Sequence, residues 1–397
     1  MPKVLRIINR FNLGGPTYNA SYLSRYLPEP YETLLIGGVK QEEEGSSEFI
    51  AESLGIKPLV VDEMQRNPDI KSDRKAYKRI KKIIKEYQPD IVHTHASKAG
   101  ALGRLAAHKC GVPVIVHTFH GHVFENYFGK AKTTFYKRVE RFLAKKSSAI
   151  VAISDKQKDD LTQRFRIVSP KKVHVIPLGF DLDRFQVDRQ RKREDFRKKY
   201  NLQDDEIAIG IVGRLTAIKN HRMFIEVFAK VREKSTKKIR AFIIGDGEEK
   251  EATVQYAADA GLSITFDEAV NADIKFTSWI KNIDWANAGL DIIALTSLNE
   301  GTPVSLIEAQ ASQKPIVTTR VGGVENTVLE NETAFLSPSE DVAAMTKHLL
   351  NLVENEQLRE NMGEAGWEFV KERFHYNRLI NDMKDLYDHL LQENIKK

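Results

Sequence analysis

With 397 residues the chain is too long for one ordinary hydrophobic core, and 41% hydrophobic with 29% charged residues describes a globular protein of two domains without a transmembrane helix. The single cysteine, Cys110, excludes an internal disulfide framework and a cysteine metal cage, and the charged start Met-Pro-Lys-Val-Leu-Arg reads as a strand rather than a signal peptide, so a cytoplasmic chain is expected. The net charge of +6 is unevenly spread: residues 1–180 hold 31 Lys and Arg against 18 Asp and Glu, and the remainder holds 30 against 37, which suggests that the first half faces a polyanion, either nucleic acid or an anionic membrane.

In chain order, Val4–Ile8 reads as a strand, followed by a loop containing Gly14-Gly15-Pro16 and a helix over Tyr18–Tyr26. Short strands are predicted at Thr33–Ile36 and Pro58–Val61, a helix at Lys75–Tyr87, a strand at Pro89–His93 and a helix at Ala99–Cys110. Strands follow at Val114–Thr118, Ala149–Ile153 and Val173–Ile176. The charged stretch Asp188–Lys199 marks a change, after which strands recur at Glu206–Gly213, Arg240–Ile244, Ile274–Thr277, Asp291–Leu295 and Pro315–Thr319. This alternation predicts an α/β protein with two Rossmann-like, doubly wound parallel sheets. The expected domains are residues 1–185 and 186–375, with a final helix in 376–397 that can cross back onto the first domain.

The most informative segment is Asn299-Glu300-Gly301-Thr302-Pro303-Val304-Ser305-Leu306-Ile307-Glu308-Ala309, with seven residues between two carboxylates. A buried strand precedes it and a helix follows Pro303, so Glu300 leaves the C-terminal end of a strand while Glu308 lies one or two turns into the next helix. In an open α/β sheet that edge binds ligands. A helix start there offers N–H groups to an anion such as a diphosphate. Two acids repel an anion but suit sugar hydroxyls, which are donors. The plain alternative is a solvated glutamate at a helix start and an ordinary helical one behind it. In the same domain, Gly213-Arg214-Leu215-Thr216-Ala217-Ile218-Lys219-Asn220 follows a strand. Gly213 permits a tight turn, and Arg214 and Lys219 suit phosphate oxygens. Neither a dinucleotide Gly-x-Gly-x-x-Gly nor a Walker-type loop is present, which argues against hydride transfer and P-loop chemistry.

The glutamate segment, with its Gly-x-Pro and strand–loop–helix setting, resembles the Glu-x7-Glu motif of the retaining glycosyltransferases of family 4 (glycosyl transferases group 1). The likeness runs through Asp246-Gly247 and Val321-Gly322-Gly323-Val324-Glu325 to the C-terminal helix. It implies the GT-B fold, two facing Rossmann-like domains with a central cleft. It also implies transfer of a sugar from a nucleotide-sugar, UDP being favoured, to a glycan or lipid-linked acceptor in polysaccharide or cell-envelope synthesis. Glu308 would bind the nucleotide ribose, and Glu300 would lie near the donor sugar hydroxyls, with Gly301 and Thr302 offering backbone N–H groups. Arg214, Lys219 and the N–H groups near Ser305 and Leu306 would hold the diphosphate. Retention by attack on the face of departure needs no side-chain nucleophile.

The first domain carries His117-Thr118-Phe119-His120-Gly121-His122 after a strand. The backbone setting and the lack of nearby acids argue against zinc. By resemblance, Thr118-Phe119-His120 matches a Thr-Phe-His segment and gives His120 a sugar hydroxyl or the acceptor to position. His93-Thr94-His95 resembles a second family segment, in which His95 reads as a structural polar contact. The Gly14-Gly15 loop, otherwise a tight strand-to-helix turn, would lie beside the phosphates or the acceptor, with Gly15 the closer. Asp181-Leu182-Asp183 mimics an Asp-x-Asp metal motif, but its setting reads as an interdomain segment, so neither a metal nor another cofactor is expected.

The stretch Phe124–Lys146 is basic and aromatic, and a helix with Phe135, Val139 and Phe142 on one face suits an anionic membrane surface as well as it suits covering a sheet. Peripheral attachment to the inner face of the plasma membrane is the expectation. Lys78–Lys85 reads as a structural helix. Two other functions fit parts of the pattern. A UDP-sugar 2-epimerase shares the two facing halves but not the Glu-x7-Glu spacing. A nucleic-acid-binding protein fits the basic half, yet no helix-turn-helix, RNA-recognition or zinc-finger signature supports a nucleic-acid partner.

Overall fold

Short runs rich in Val, Ile and Leu form two wholly parallel sheets in a computed structural model, which describes residues 1–11, 15–38, 48–65, 69–121 and 129–395. Each sheet belongs to its own unit: Met1–Phe180 with Phe374–Lys397, and Asp181–Arg373. The first unit holds β1 (Lys3–Arg10), β2 (Glu32–Gly38), β3 (Leu59–Val60), β4 (Ile91–His95), β5 (Val114–Phe119), β6 (Ala149–Ala152) and β7 (Val173–Val175), in the spatial order β3-β2-β1-β4-β5-β6-β7. The second holds β8 (Glu206–Val212), β9 (Lys238–Ile244), β10 (Ile264–Thr265), β11 (Ile274–Ser278), β12 (Ile292–Leu295), β13 (Ile316–Thr319) and β14 (Ala334–Ser337), ordered β10-β11-β9-β8-β12-β13-β14. In each sheet the strand order reverses beside the first strand, at β1/β4 and at β8/β12. Helices on either side of such a point diverge and leave a crevice at the strand C-termini, where α/β proteins bind ligands.

Alternating side chains of β1 serve two cores, as the period of two requires. Leu5 and Ile7 pack with Ile80, Ile83 and Ile84 of the helix Ile70–Tyr87, whose lysines point outward. Val4 on the other face joins Val114, Val116, Leu379, Met383 and Leu386. The last three belong to the C-terminal helix Tyr376–Ile395, which thereby completes the first unit rather than the second.

The units divide at Phe180/Asp181 and Arg373/Phe374, a few residues before the boundaries read from sequence. The charged stretch taken as a break is a helix, Arg189–Lys199. Its Phe196 is buried against Phe242 and Trp285, and its Arg193 and Arg197 reach Asp291 at 2.7 and 3.3 Å. The charge there builds an inward ion-pair network, which no period of apolar residues reveals. Strands β10 and β14 also escaped prediction, being two and four residues long. No described helix is long and apolar enough to cross a membrane.

Candidate active site

The switch point of the second sheet brings two loops together. After β8 the chain passes through Gly213–Thr216 into a single 3-10 turn, Ala217–Lys219, and Asn220 in the left-handed region (φ 48°) caps the helix His221–Lys234 by accepting from the Met223 amide. After β12, the buried Thr296 hydroxyl lies 3.0 and 2.9 Å from the carbonyls of Lys219 and Asn220, and the Leu298 amide donates to the Ile218 carbonyl at 2.8 Å. With the backbones tied in this way, Lys219 Nζ lies 2.5 Å from Glu300 Oε1, which also accepts from Ser297 Oγ at 2.6 Å. Only 21% of the Lys219 and 10% of the Glu300 side chain is exposed, so the pair is largely withdrawn from water and its charges are weakly screened.

A third loop clamps Glu300 from behind. After β13, the Gly323 amide donates to the Glu300 carbonyl at 2.9 Å. Gly322 adopts a left-handed φ of 53°, and a Cβ on it would overlap that same carbonyl oxygen, while a Cβ on Gly323 would overlap the carbonyl of Gly301. Only glycine permits such close backbone approach. Gly323→Ala is therefore expected to cost about 1–3 kcal/mol of stability through overpacking and to displace the Glu300 turn. Thermal unfolding and turnover measured on the same variant check both effects.

Glu308 lies on the helix Val304–Ala311 with 19% of its side chain exposed. Burial raises its carboxyl to about 7; Arg184, whose guanidinium is 3.6 Å away, opposes that rise, and Asp284 adds to it. Gly301 is exposed, and Thr302 and Ser305 are half-buried. Two expectations need correction. The Leu306 amide is not available to an anion, because it donates to the Pro303 carbonyl at 3.1 Å in a tight first turn. Arg214 is not gathered with Lys219: it is exposed and pairs with Glu248 at 3.2 Å. Asp246 instead organises the neighbouring loop, accepting from Lys250 and from Ser278 at 2.9 Å each. Asp183 of the Asp-x-Asp mimic opens a 3-10 turn, and among the described residues no group of three or more His, Cys, Asp or Glu could hold a metal ion.

In the first unit, Gly15 opens the helix Gly15–Tyr26, whereas Gly14 lies outside the described residues. His93, His95 and His117 are wholly buried and His120 is half-buried. His117 Nδ1 lies 2.8 Å from Thr94 Oγ1, and His95 Nδ1 lies 2.9 Å from His120 Nε2. Burial holds all four rings neutral, with His120 pushed down to about 3. His122 lies outside the described residues.

Two family models account for most of the chain. Residues 14–184 match Glycosyltransferase Family 4, and residues 192–369 match Glycosyl transferases group 1. The chain belongs to these glycosyltransferases. An Escherichia coli relative, UDP-Gal:alpha-D-GlcNAc-diphosphoundecaprenol alpha-1,3-galactosyltransferase, is 28% identical over 361 residues, covering 90% of each chain. A capsular polysaccharide biosynthesis glycosyltransferase, CapM of Staphylococcus aureus, is 25% identical over 338 residues, covering 83% of this chain and 85% of its own. Among solved structures, Anabaena HepE in complex with UDP and glucose superposes with a TM-score of 0.80 at 18% identity, over 98% of this chain and 100% of that one. These likenesses make the fold GT-B, with both Rossmann-like units. They also decide for a transferase over an epimerase.

Several residues that shape this glycosyltransferase site were not singled out from sequence. Thr296 and Arg184 work through contacts that span many residues of chain, which no local spacing shows, whereas Ser297 stands only three residues before the Glu300 it bonds and belongs to no motif read from sequence. The adjacent glycines Gly322-Gly323 after a strand did carry a signal, because paired glycines mark a backbone that something approaches closely.

Proposed function

We propose that this glycosyltransferase moves a sugar from a UDP-sugar, with retention of anomeric configuration and without a metal ion, to a lipid-linked or glycan acceptor. The observation that carries the reading is the Lys219–Glu300 pair at the β8/β12 switch point, with Glu308 on the helix that follows. The names of the relatives agree with it: one takes UDP-Gal to a diphosphoundecaprenol-linked acceptor, and HepE was captured with UDP and glucose. As the glycosidic bond breaks, negative charge builds on the leaving diphosphate, and a preorganised cation stabilises it more than it stabilises the ground state. Lys219 supplies that cation, assisted by the start of the helix at Val304–Ser305, while Arg214, drawn aside to Glu248, is left out of the anion site. Glu300 has Oε1 engaged by Lys219 and Ser297, which makes it a poor nucleophile and leaves Oε2 for a sugar hydroxyl. Gly301 and Thr302 present backbone to the same sugar, Gly213 gives the diphosphate room, and Glu308 grips the ribose. His120 and the loop at Gly15 are assigned to sugar or acceptor contacts in the first unit. The test is transfer from a panel of UDP-sugars. The expected product keeps the donor's anomeric configuration and forms equally in EDTA. An inverted product overturns retention, and loss in EDTA restored by Mn²⁺ or Mg²⁺ overturns the metal-free reading.

We further propose that the helix Lys130–Lys146 rests on an anionic membrane. Its Phe135 and Phe142, seven residues apart and so on one face, are 62% and 53% exposed, and Lys132, Arg138 and Lys145 are exposed around them. Leu143 and Ala144 on the opposite side are buried, and Glu140 there pairs with Arg104 at 2.7 Å. The helix thus packs and still presents an apolar strip. Residues 124–128 of the stretch lie outside those described. Phe135→Ser with Phe142→Ser is expected to weaken binding to phosphatidylglycerol vesicles by at least about tenfold, since burying each ring is worth roughly 1.5–3 kcal/mol, while activity on a soluble acceptor stays unchanged. Vesicle co-sedimentation measures the loss.

A further inference from the structure

Five lysines form a row along the outer side of the helix Ile70–Tyr87. Its inner side, with Ile80, Ile83 and Ile84, is buried on the first sheet. Lys71, Lys75, Lys78, Lys82 and Lys85 recur at steps of four, three, four and three residues, and all five are exposed. That spacing keeps them on one face along roughly 20 Å of helix. Like charges three and four residues apart destabilise a helix. Little relieves these: of the acids in the helix, Asp73 is taken by Lys98 at 2.5 Å, and Glu86 lies 3.6 Å from Lys82 with both side chains exposed. A row of one sign held at a cost to the free helix suits an anionic surface.

The row belongs to the same helix layer as Phe135 and Phe142. Ala99, Ala106 and Ala107 of the helix Ser97–Cys110 join Leu5, Ile7 and Ile115 in the core that buries Ile80 and Ile83. Tyr136 of the helix Lys130–Lys146 packs against the core of Phe119, Ile150 and Ala152, and Phe119 is four residues on from Ile115, so it stands on the same face of β5. Glu140 of that helix reaches Arg104 of the middle helix at 2.7 Å. The three helices thus cover one face of the first sheet side by side. Neighbouring helices pack about 8–10 Å apart, so the outer two are roughly 16–20 Å apart and their outward sides form one broad surface. The exposed residues of the middle helix, Ser97, His108 and Lys109, include no acid. We infer that the first unit rests on an anionic bilayer through this whole layer, with the lysine row on phosphate headgroups and the two phenylalanines inserted beside it. The sheet then lies parallel to the bilayer, and the C-terminal edge of its strands opens along the membrane surface. The inference rests on the membrane reading of the helix Lys130–Lys146. Charge and exposed apolar rings on one outward side match a bilayer interface, whereas a nucleic-acid duplex presents phosphates without an apolar layer.

The experiment compares the full chain with a triple variant, Lys75→Gln, Lys78→Gln and Lys85→Gln, which removes three charges and keeps good helix formers. Wild type is expected to co-sediment with phosphatidylglycerol vesicles and not with phosphatidylcholine vesicles. The triple variant should bind phosphatidylglycerol about 10²-fold more weakly, each lysine being worth about fivefold. Its melting temperature should hold or rise, because like charges have been removed, and its turnover of a soluble acceptor should be unchanged. On wild type, Lys75, Lys78 and Lys85 should be protected from acetylation when vesicles are bound. Equal labelling of bound and free protein overturns the inference without any variant, and so does wild-type affinity in the folded triple variant. If the Phe135→Ser, Phe142→Ser protein still loses binding in that case, the reading of the helix Lys130–Lys146 stands alone. Loss in the lysine variant with none in the phenylalanine variant instead overturns that reading, and the joint platform with it. Tighter binding to duplex DNA or single-stranded RNA than to phosphatidylglycerol at the same ionic strength overturns lipid as the occupant.

Discussion

Lys219→Met is expected to lower kcat by about 10²–10³-fold, the loss found when one preorganised donor is removed from a developing oxyanion. Methionine keeps the length of the side chain and its packing while removing the charge. The difficulty is that Lys219 also neutralises Glu300, whose side chain is only 10% exposed, so the single variant leaves a nearly buried carboxylate with Ser297 alone. Some loss of stability follows, on the order of 1–3 kcal/mol, short of the cost for a fully buried pair because Lys219 keeps some access to water. The double variant Lys219→Met with Glu300→Gln separates the two roles. It removes both charges, so most of the lost stability should return, as the coupling term of a double-mutant cycle. Activity should not return, because the diphosphate still lacks its cation. Thermal unfolding and single-turnover transfer measured on all four proteins close the cycle. Recovery of activity together with stability would mean that Lys219 serves only to hold Glu300.

Nucleotide binding is expected to weaken as pH falls through 7, and Glu308 is the reason. Burial lifts its carboxyl to about 7, and the ionised form is the stronger acceptor for ribose hydroxyls. Below that value each pH unit should cost about tenfold in affinity for UDP, since a one-unit change in protonation is worth about 1.36 kcal/mol. Phosphate monoesters themselves titrate near roughly 6, so Glu308→Gln is the reference. It should bind roughly 10- to 100-fold more weakly at pH 8, the loss of charged hydrogen bonds, and show only the phosphate's own pH dependence. Calorimetric titration with UDP between pH 5.5 and 8.5 (about three units) reads both curves, and parallel profiles for the two proteins would remove Glu308 from the ribose. The same group has the opposite effect on the free protein. Its folded value lies above the unfolded one near 4.5, so its contribution to stability is fully present below about 4.5 and is lost as pH rises through about 7. The acid limb of binding therefore cannot be ascribed to Glu308-driven unfolding.

The parts of this protein that were legible in sequence are those with a local cause. Two series of apolar runs between helical patterns implied two parallel sheets, because a strand buried on both faces is a short block of Val, Ile and Leu. The Glu300–Glu308 spacing was legible because a strand end, a turn and a helix start follow one another without interruption. The basic aromatic helix carried its own periodicity, although that pattern did not say which face is covered. Only the fold shows Phe135 and Phe142 outward and Leu143 inward.

What sequence by itself determined is the α/β class, the two units, the ligand edge of the second sheet and the residue types that stand on it, all consequences of near-neighbour pattern. Tertiary structure alone decided which of those residues meet. Lys219 and Glu300 are 81 residues apart and are joined because β8 and β12 are neighbours at a switch point and Thr296 ties their loops together. Arg214, six residues nearer the start of the chain than Asn220, turns away to Glu248 although its spacing suggested the same anion site. Burial is likewise a property of the whole fold. It lifts the Glu308 carboxyl and keeps His95 and His120 neutral, since desolvation depends on what the rest of the chain packs around a group and not on the residues beside it.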